Sequence, residues 1–110
     1  MASHASEEER LLLMGCGSVG GVIAGGLLRA GYEVSIVTHN DEIAQAINAD
    51  GLRLTTPEGR WTAPATAHTH LDEVAGPFDT VYLAMKATEV EQAARDVADY
   101  LSPEGYVVTL

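Results

Sequence analysis

Hydrophobic positions along the chain change period several times, and each change marks an element. Leu11-Leu12-Leu13-Met14 is an unbroken apolar run that stops at glycine. Such a run, with no polar alternation, predicts a strand buried on both faces, as in a parallel sheet. From Val19 to Ala30, the residues Val22, Ile23, Leu27 and Ala30 recur at helical spacing, and Gly31 serves as a C-terminal cap. Glu33 to Thr38 predicts a second strand. Asn40 or Asp41 caps a second helix, with Ile43, Ala44 and Ile47 on its apolar face and its end near Asp50-Gly51.

The next stretch is extended. Leu52 to Thr55 and Trp61 to Ala67 form two segments around the turn Thr56-Pro57-Glu58-Gly59. A short helix is expected at Leu71 to Ala75, before the punctuation of Gly76-Pro77. Thr80 to Met85 is another buried strand. Glu89 to Tyr100 reads as a helix with Val90, Ala93, Ala94 and Val97 on one face. After the turn Ser102-Pro103-Glu104-Gly105, Tyr106 to Leu110 begins a further strand. Alternation of strands and helices in this order predicts a doubly wound, mostly parallel sheet in three α/β/α layers.

Composition narrows the function classes. The 110 residues suit one domain, and 46% are apolar but only 5% aromatic, so Ala, Val, Leu and Ile must build the core. The formal net charge is −10, which disfavours nucleic acid and anionic membrane surfaces. The six Lys and Arg residues are scattered, so a phosphorylated ligand would have to be held by backbone amides and a few local cations. The single cysteine, Cys16, excludes an internal disulfide and a thiolate zinc site. Residues 1–9 are small and acidic and read as a disordered leader, with residues 10–110 as the domain. No signal peptide and no apolar run of about 20 residues is visible, which leads to the expectation of a cytoplasmic protein.

One motif carries chemistry. Gly15-Cys16-Gly17-Ser18-Val19-Gly20 follows an apolar strand and opens a helix, the context that a dinucleotide-binding Gly-x-Gly-x-x-Gly requires. Gly15 permits the tight turn, Gly17 lets a pyrophosphate approach the backbone, and Gly20 lets the helix pack against the strand. Amides at the helix N-terminus then face the phosphates, which reconciles an acidic chain with an anionic ligand. Cys16 is read as a small side chain filling the junction. The fold is therefore expected to be of Rossmann type.

The end of the second strand bears on the cofactor. An acid there would bind the ribose hydroxyls of NAD. The chain has Thr38-His39-Asn40 instead, all able to donate to a 2′-phosphate, which favours NADP over NAD. Asp41 and Glu42 belong to the first turn of the next helix, where acids complement the dipole. Met85 and Lys86 end the strand that starts at Thr80, and ligands in open α/β sheets bind beyond such ends. Lys86 is the only lysine in the chain. His68 and His70 lack a third ligand, so no metal site is expected. Trp61 is expected to cover the hairpin or the edge of the core. No nucleophile–base pair and no paired carboxylates assemble into a catalytic constellation.

With these residues in hand, the chain resembles ketopantoate reductase (2-dehydropantoate 2-reductase). Three stretches carry the likeness: residues 14–21 with 27–34, residues 47–54, and Phe78-Asp79-Thr80-Val81-Tyr82-Leu83-Ala84-Met85-Lys86-Ala87. The resemblance implies NADPH-dependent reduction of a 2-keto acid to a 2-hydroxy acid, in pantothenate biosynthesis. It also places the lysine matching Lys86 in the cleft near the nicotinamide. Many relatives carry an arginine after the second strand, where this chain has His39, and a glycine where it has Asn40. In the family a helical domain with the catalytic lysine and a substrate-binding acid follows, and the 110 residues carry none of it. The expectation is a cofactor-binding domain that does not catalyse alone, with a 2-keto acid as partner only if that domain is supplied. Two other classes stand beside it. One is a nucleotide-sensing regulatory domain, which usually has an acid at the second strand tip. The other is an interaction module that self-associates into a homo-oligomer through an exposed sheet edge.

Overall fold

The computed structural model describes residues 9–15 and 18–110. In chain order its elements are β1 (Arg10–Met14), α1 (Ser18–Arg29), β2 (Glu33–Val37), α2 (Asp41–Asp50), β3 (Leu52–Thr56), β4 (Gly59–Ala63) and β5 (Thr66–His68). A 3-10 turn (Leu71–Glu73), β6 (Phe78–Leu83), α3 (Ala87–Val97), a second 3-10 turn (Ala98–Tyr100) and β7 (Leu101–Thr109) follow. Five strands make one sheet of order β5-β2-β1-β6-β7, with every pairing parallel. β3 and β4 form a separate antiparallel hairpin.

The side-chain alternation of β1 explains the layering. Leu11 and Leu13 pack with Ala24 of α1 and with Ala44 and Ile47 of α2. Leu12 and Met14 point the other way, into a core with Ala93 and Val97 of α3. A strand sandwiched in this way must be apolar at every position, which is why the run Leu11–Met14 is unbroken. Leu12, Ile36, Val81, Leu83 and Val97 are all 0% exposed. Burying each such side chain stabilises the fold by about 1.5–3 kcal/mol. The helix α1 closes with Gly31 N–H donating to Leu28 O at 3.1 Å and Tyr32 N–H to Leu27 O at 3.0 Å. That pair of bonds satisfies carbonyls of the last turn. Burial, helped by the neighbouring Tyr106, raises the Tyr82 hydroxyl above its ordinary pKa.

Several local readings change, among them the strand expected at Thr80 to Met85, which runs Phe78–Leu83 and leaves Met85 and Lys86 in the connection to α3. Trp61 to Ala67 is not one extended segment: it divides at Pro64-Ala65 into β4 of the hairpin and β5 of the main sheet. The cause is tertiary. Thr66, Ala67 and His68 pair in register with Ser35, Ile36 and Val37. The outward-facing groups of Ala67 are met by Asn48 of α2, whose Nδ2 donates to Ala67 O at 2.9 Å and whose Oδ1 accepts from Ala67 N–H at 2.8 Å. The helix expected at Glu89 starts instead at Ala87 and tightens to a 3-10 turn at Ala98–Tyr100. The turn at residues 102–105 is an excursion inside β7, between the pairs Phe78↔Leu101 and Thr80↔Tyr106. Among the described residues no helix is long and apolar enough to cross a membrane.

Candidate functional site

The sheet changes its direction of growth at β1, with β2 laid on one side and β6 on the other. Strand ends diverge at such a point and leave a crevice beyond their carboxyl ends. The crevice here has a volume of about 590 Å³, within the range of small-molecule and cofactor sites. Its floor is Met14 and Gly15 after β1 and Val37 and Thr38 at the end of β2. His39 and Asn40 continue one side. Ala84, Met85 and Lys86 after β6 form the other, backed by Glu89, Gln92 and Asp96 of α3.

Gly15 sits where three strand ends meet. Its φ is +83°, and a Cβ there would collide with the carbonyl oxygen of Ala84. Its N–H donates to Val37 O at 2.8 Å. Only glycine satisfies both conditions. Gly20 lies on α1 such that a Cβ would come within 2.6 Å of Gly15 O and 2.9 Å of Ala84 Cβ. The absence of that carbon lets α1 start directly over the strand ends. Cys16 and Gly17 lie outside the described residues, as do the side chains of Ser18 and Val19.

The tip of β2 is held by its own hydrogen bonds. Thr38 is buried, its N–H donates to His68 O at 2.8 Å, and its Oγ1 accepts from Asn40 N–H at 3.3 Å. Asn40 caps α2: its Oδ1 accepts from Ile43 N–H at 3.1 Å, which leaves Nδ2 as its remaining donor. Asp41 and Glu42 occupy the first turn of α2, as expected for acids at a helix N-terminus. His39 donates from Nδ1 to Thr69 O at 3.1 Å.

Lys86 is exposed and stands as the N-cap of α3 with extended backbone, φ −65° and ψ 146°. It supplies the cleft's fixed positive charge among the described lining residues, opposed by the carboxylates of Glu89 and Asp96. Sequence reasoning missed those two acids and Gln92. The signal was present in part: residues 89, 92 and 96 share a helical face, but nothing local said that this face turns toward the crevice. His68 and His70 are not brought together as ligands. His68 Nδ1 lies 3.8 Å from Glu73 Oε1, and His70 Nδ1 lies 3.0 Å from Thr69 Oγ1. Among the described residues no group of three or more His, Cys, Asp or Glu could hold a metal ion. Trp61 is on the hairpin, away from the cleft, with Arg29 stacked 3.8 Å above its ring.

A parallel sheet with a glycine turn after its first strand, and a ligand-sized crevice at its switch point, define a Rossmann-type α/β domain. The chain belongs to the family described as ketopantoate reductase PanE/ApbA, whose family model matches residues 11–110. It is 34% identical over 102 residues to the 2-dehydropantoate 2-reductase of Mesorhizobium japonicum, covering 92% of this chain and 31% of that protein. It is also similar to the solved PanE/ApbA family ketopantoate reductase of Ralstonia eutropha JMP134. The TM-score is 0.78 and the identity 33%, over 89% of this chain and 32% of that one. D-mandelate dehydrogenase, solved with NADH and anilino(oxo)acetate, shares the fold at a TM-score of 0.78 and 23% identity, over 92% of this chain and 32% of that one. The chain thus spans about a third of the length of the relatives it matches.

Proposed function

We propose that this chain is the NADP(H)-binding part of a reductase that converts 2-dehydropantoate, or a related 2-keto acid, to the 2-hydroxy acid in the cytoplasm. The observation that carries the reading is the crevice at the switch point, floored by Gly15 and bordered by a β2 tip, Thr38-His39-Asn40, that has no carboxylate. The crevice falls within the range of cofactor sites, and the missing Cβ atoms of Gly15 and Gly20 let the turn after β1 and the start of α1 pack closely on Ala84 beside it.

In this reading Gly15, Cys16, Gly17, Ser18, Val19 and Gly20 hold the pyrophosphate, with backbone amides and the α1 dipole favouring its charge. His39 and Asn40 take the 2′-phosphate end, and the acid-free tip argues against a regulatory NAD sensor. Met85 and Lys86 flank the cofactor on the β6 side, where the ammonium offsets Glu89 and Asp96. When bound, the dihydronicotinamide supplies the hydride. A proton donor to the developing alkoxide contributes about 10²–10⁴-fold to such reactions, and no residue of this cleft is assigned that role. The chain's own part is to bind and orient the cofactor.

Calorimetric titration of the purified chain with NADPH and NADH tests the proposal. Saturable binding of both is expected, tighter for NADPH and lost in Gly17→Val, which places a side chain where the motif admits none. No binding of either nucleotide overturns the reading. Tight binding unaffected by Gly17→Val overturns the glycine-loop assignment.

A further inference from the structure

We propose that His39 makes the choice between NADP and NAD depend on pH, through a ring tautomer fixed by the backbone of Thr69. The inference rests on the cofactor reading above and concerns the regulation of that same site. His39 lines the cleft, while its Nδ1 is turned to Thr69 O at 3.1 Å. A carbonyl oxygen can only accept, so the Nδ1 proton is fixed there. Thr69 is itself anchored, since its N–H donates to Glu73 Oε1 at 3.1 Å. The other ring nitrogen, Nε2, points away from Thr69 and in the neutral ring carries a lone pair.

A 2′-phosphate offers only acceptor oxygens at physiological pH. Opposite the neutral ring, two acceptors face each other and no hydrogen bond forms. Protonation adds an N–H at Nε2 without disturbing the bond to Thr69, and the result is a charge-assisted bond to phosphate. Arginine would donate at every pH, whereas His39 donates only when charged.

The charged and titratable groups on the surrounding elements are few. Lys86, Glu89 and Asp96 line the cleft on the α3 side. Asp41 and Glu42 open α2, and His68, His70 and Glu73 lie on the β5 side near Thr69. Carboxylates and ammonium groups generally keep their charge between pH 6 and 8, while imidazole and phosphate monoesters titrate there. Glu89 and Asp96 oppose a phosphate, and the ring and the phosphate are the two groups whose protonation varies. NAD and NADP differ only in the 2′-phosphate, so the ratio of their affinities cancels everything else in the cofactor.

The test is the ratio of Kd for NAD⁺ to Kd for NADP⁺, measured from pH 8.5 to pH 6.0 on the chain and two variants. The ratio should rise about tenfold from the alkaline to the acidic end, the size of a hydrogen bond to a charged group. Toward pH 6.0 protonation of the phosphate itself should level it off. His39→Leu, which cannot donate, should give a low ratio that varies only with the phosphate's own protonation, and His39→Arg a high one at both ends. A flat ratio in the unaltered chain, with both nucleotides binding, overturns this proposal and leaves the cofactor reading standing. A pH dependence of undiminished size in His39→Leu also overturns it, because the phosphate's own protonation or another imidazole then carries the effect. Failure of both nucleotides to bind at any pH overturns the cofactor reading and this proposal together.

Discussion

Asn48→Ala removes both hydrogen bonds that hold the outer edge of β5, one given and one accepted by the backbone of Ala67. Ala67 is 4% exposed with the Asn48 side chain over it. Each bond contributes about 1 kcal/mol net, and a buried polar group left unpaired costs about 1–3 kcal/mol. The variant should lose about 2–3 kcal/mol. At about 2.1 cal/mol/K of unfolding entropy per residue, a domain of this size then melts roughly 10 °C lower. Thermal and urea unfolding followed by circular dichroism measure this directly. Asn48→Asp sharpens the argument. The new carboxylate still accepts from Ala67 N–H but faces the carbonyl oxygen of Ala67, and only its protonated form can donate there. Its pKa is therefore raised in the folded state, so its stabilising contribution is present at low pH and lost as pH rises through that value. Asn48→Asp should be closer to the unaltered chain at pH 4 than at pH 7. A melting change under about 2 °C for Asn48→Ala, or a pH-independent deficit for Asn48→Asp, would refute the reasoning that this one side chain completes the sheet edge. The consequence reaches the cleft, because β5 leads directly to Thr69 and hence to His39.

Gly20→Ala should cost about 1–3 kcal/mol by overpacking against Gly15 O and Ala84 Cβ, and should weaken NADP⁺ binding as α1 is displaced; an unchanged urea midpoint would count against the close approach. Asn40→Ala should lose about 1 kcal/mol with the cap of α2, whereas Asn40→Ser keeps a capping oxygen and removes the amide donor. The serine variant should hold its urea midpoint but bind NADP⁺ more weakly; equal loss of midpoint in both variants would contradict the capping role.

The sequence by itself determined the layered architecture and the place of the crevice. Leu11–Met14 has no polar position because both faces of β1 are covered, and Gly15 stands where only a glycine's φ and lack of Cβ are tolerated. Although the clash that a Cβ at Gly15 would make is with Ala84 of a distant segment, the unbroken apolar run and the glycine that ends it are local signals of period and turn sterics. The cap at Asn40 was legible for the same reason, since it needs only Ile43 three residues on. Tertiary structure alone decided the rest. It separated β5 from β4, because the edge of β5 is completed by Asn48, 19 residues away. It turned Glu89, Gln92 and Asp96 toward the cleft, because the packing of Ala93 and Val97 on the sheet fixes the rotation of α3. It also set the tautomer of His39, which depends on a carbonyl 30 residues distant. Spacing in sequence specifies which residues share a face; only packing specifies what that face meets.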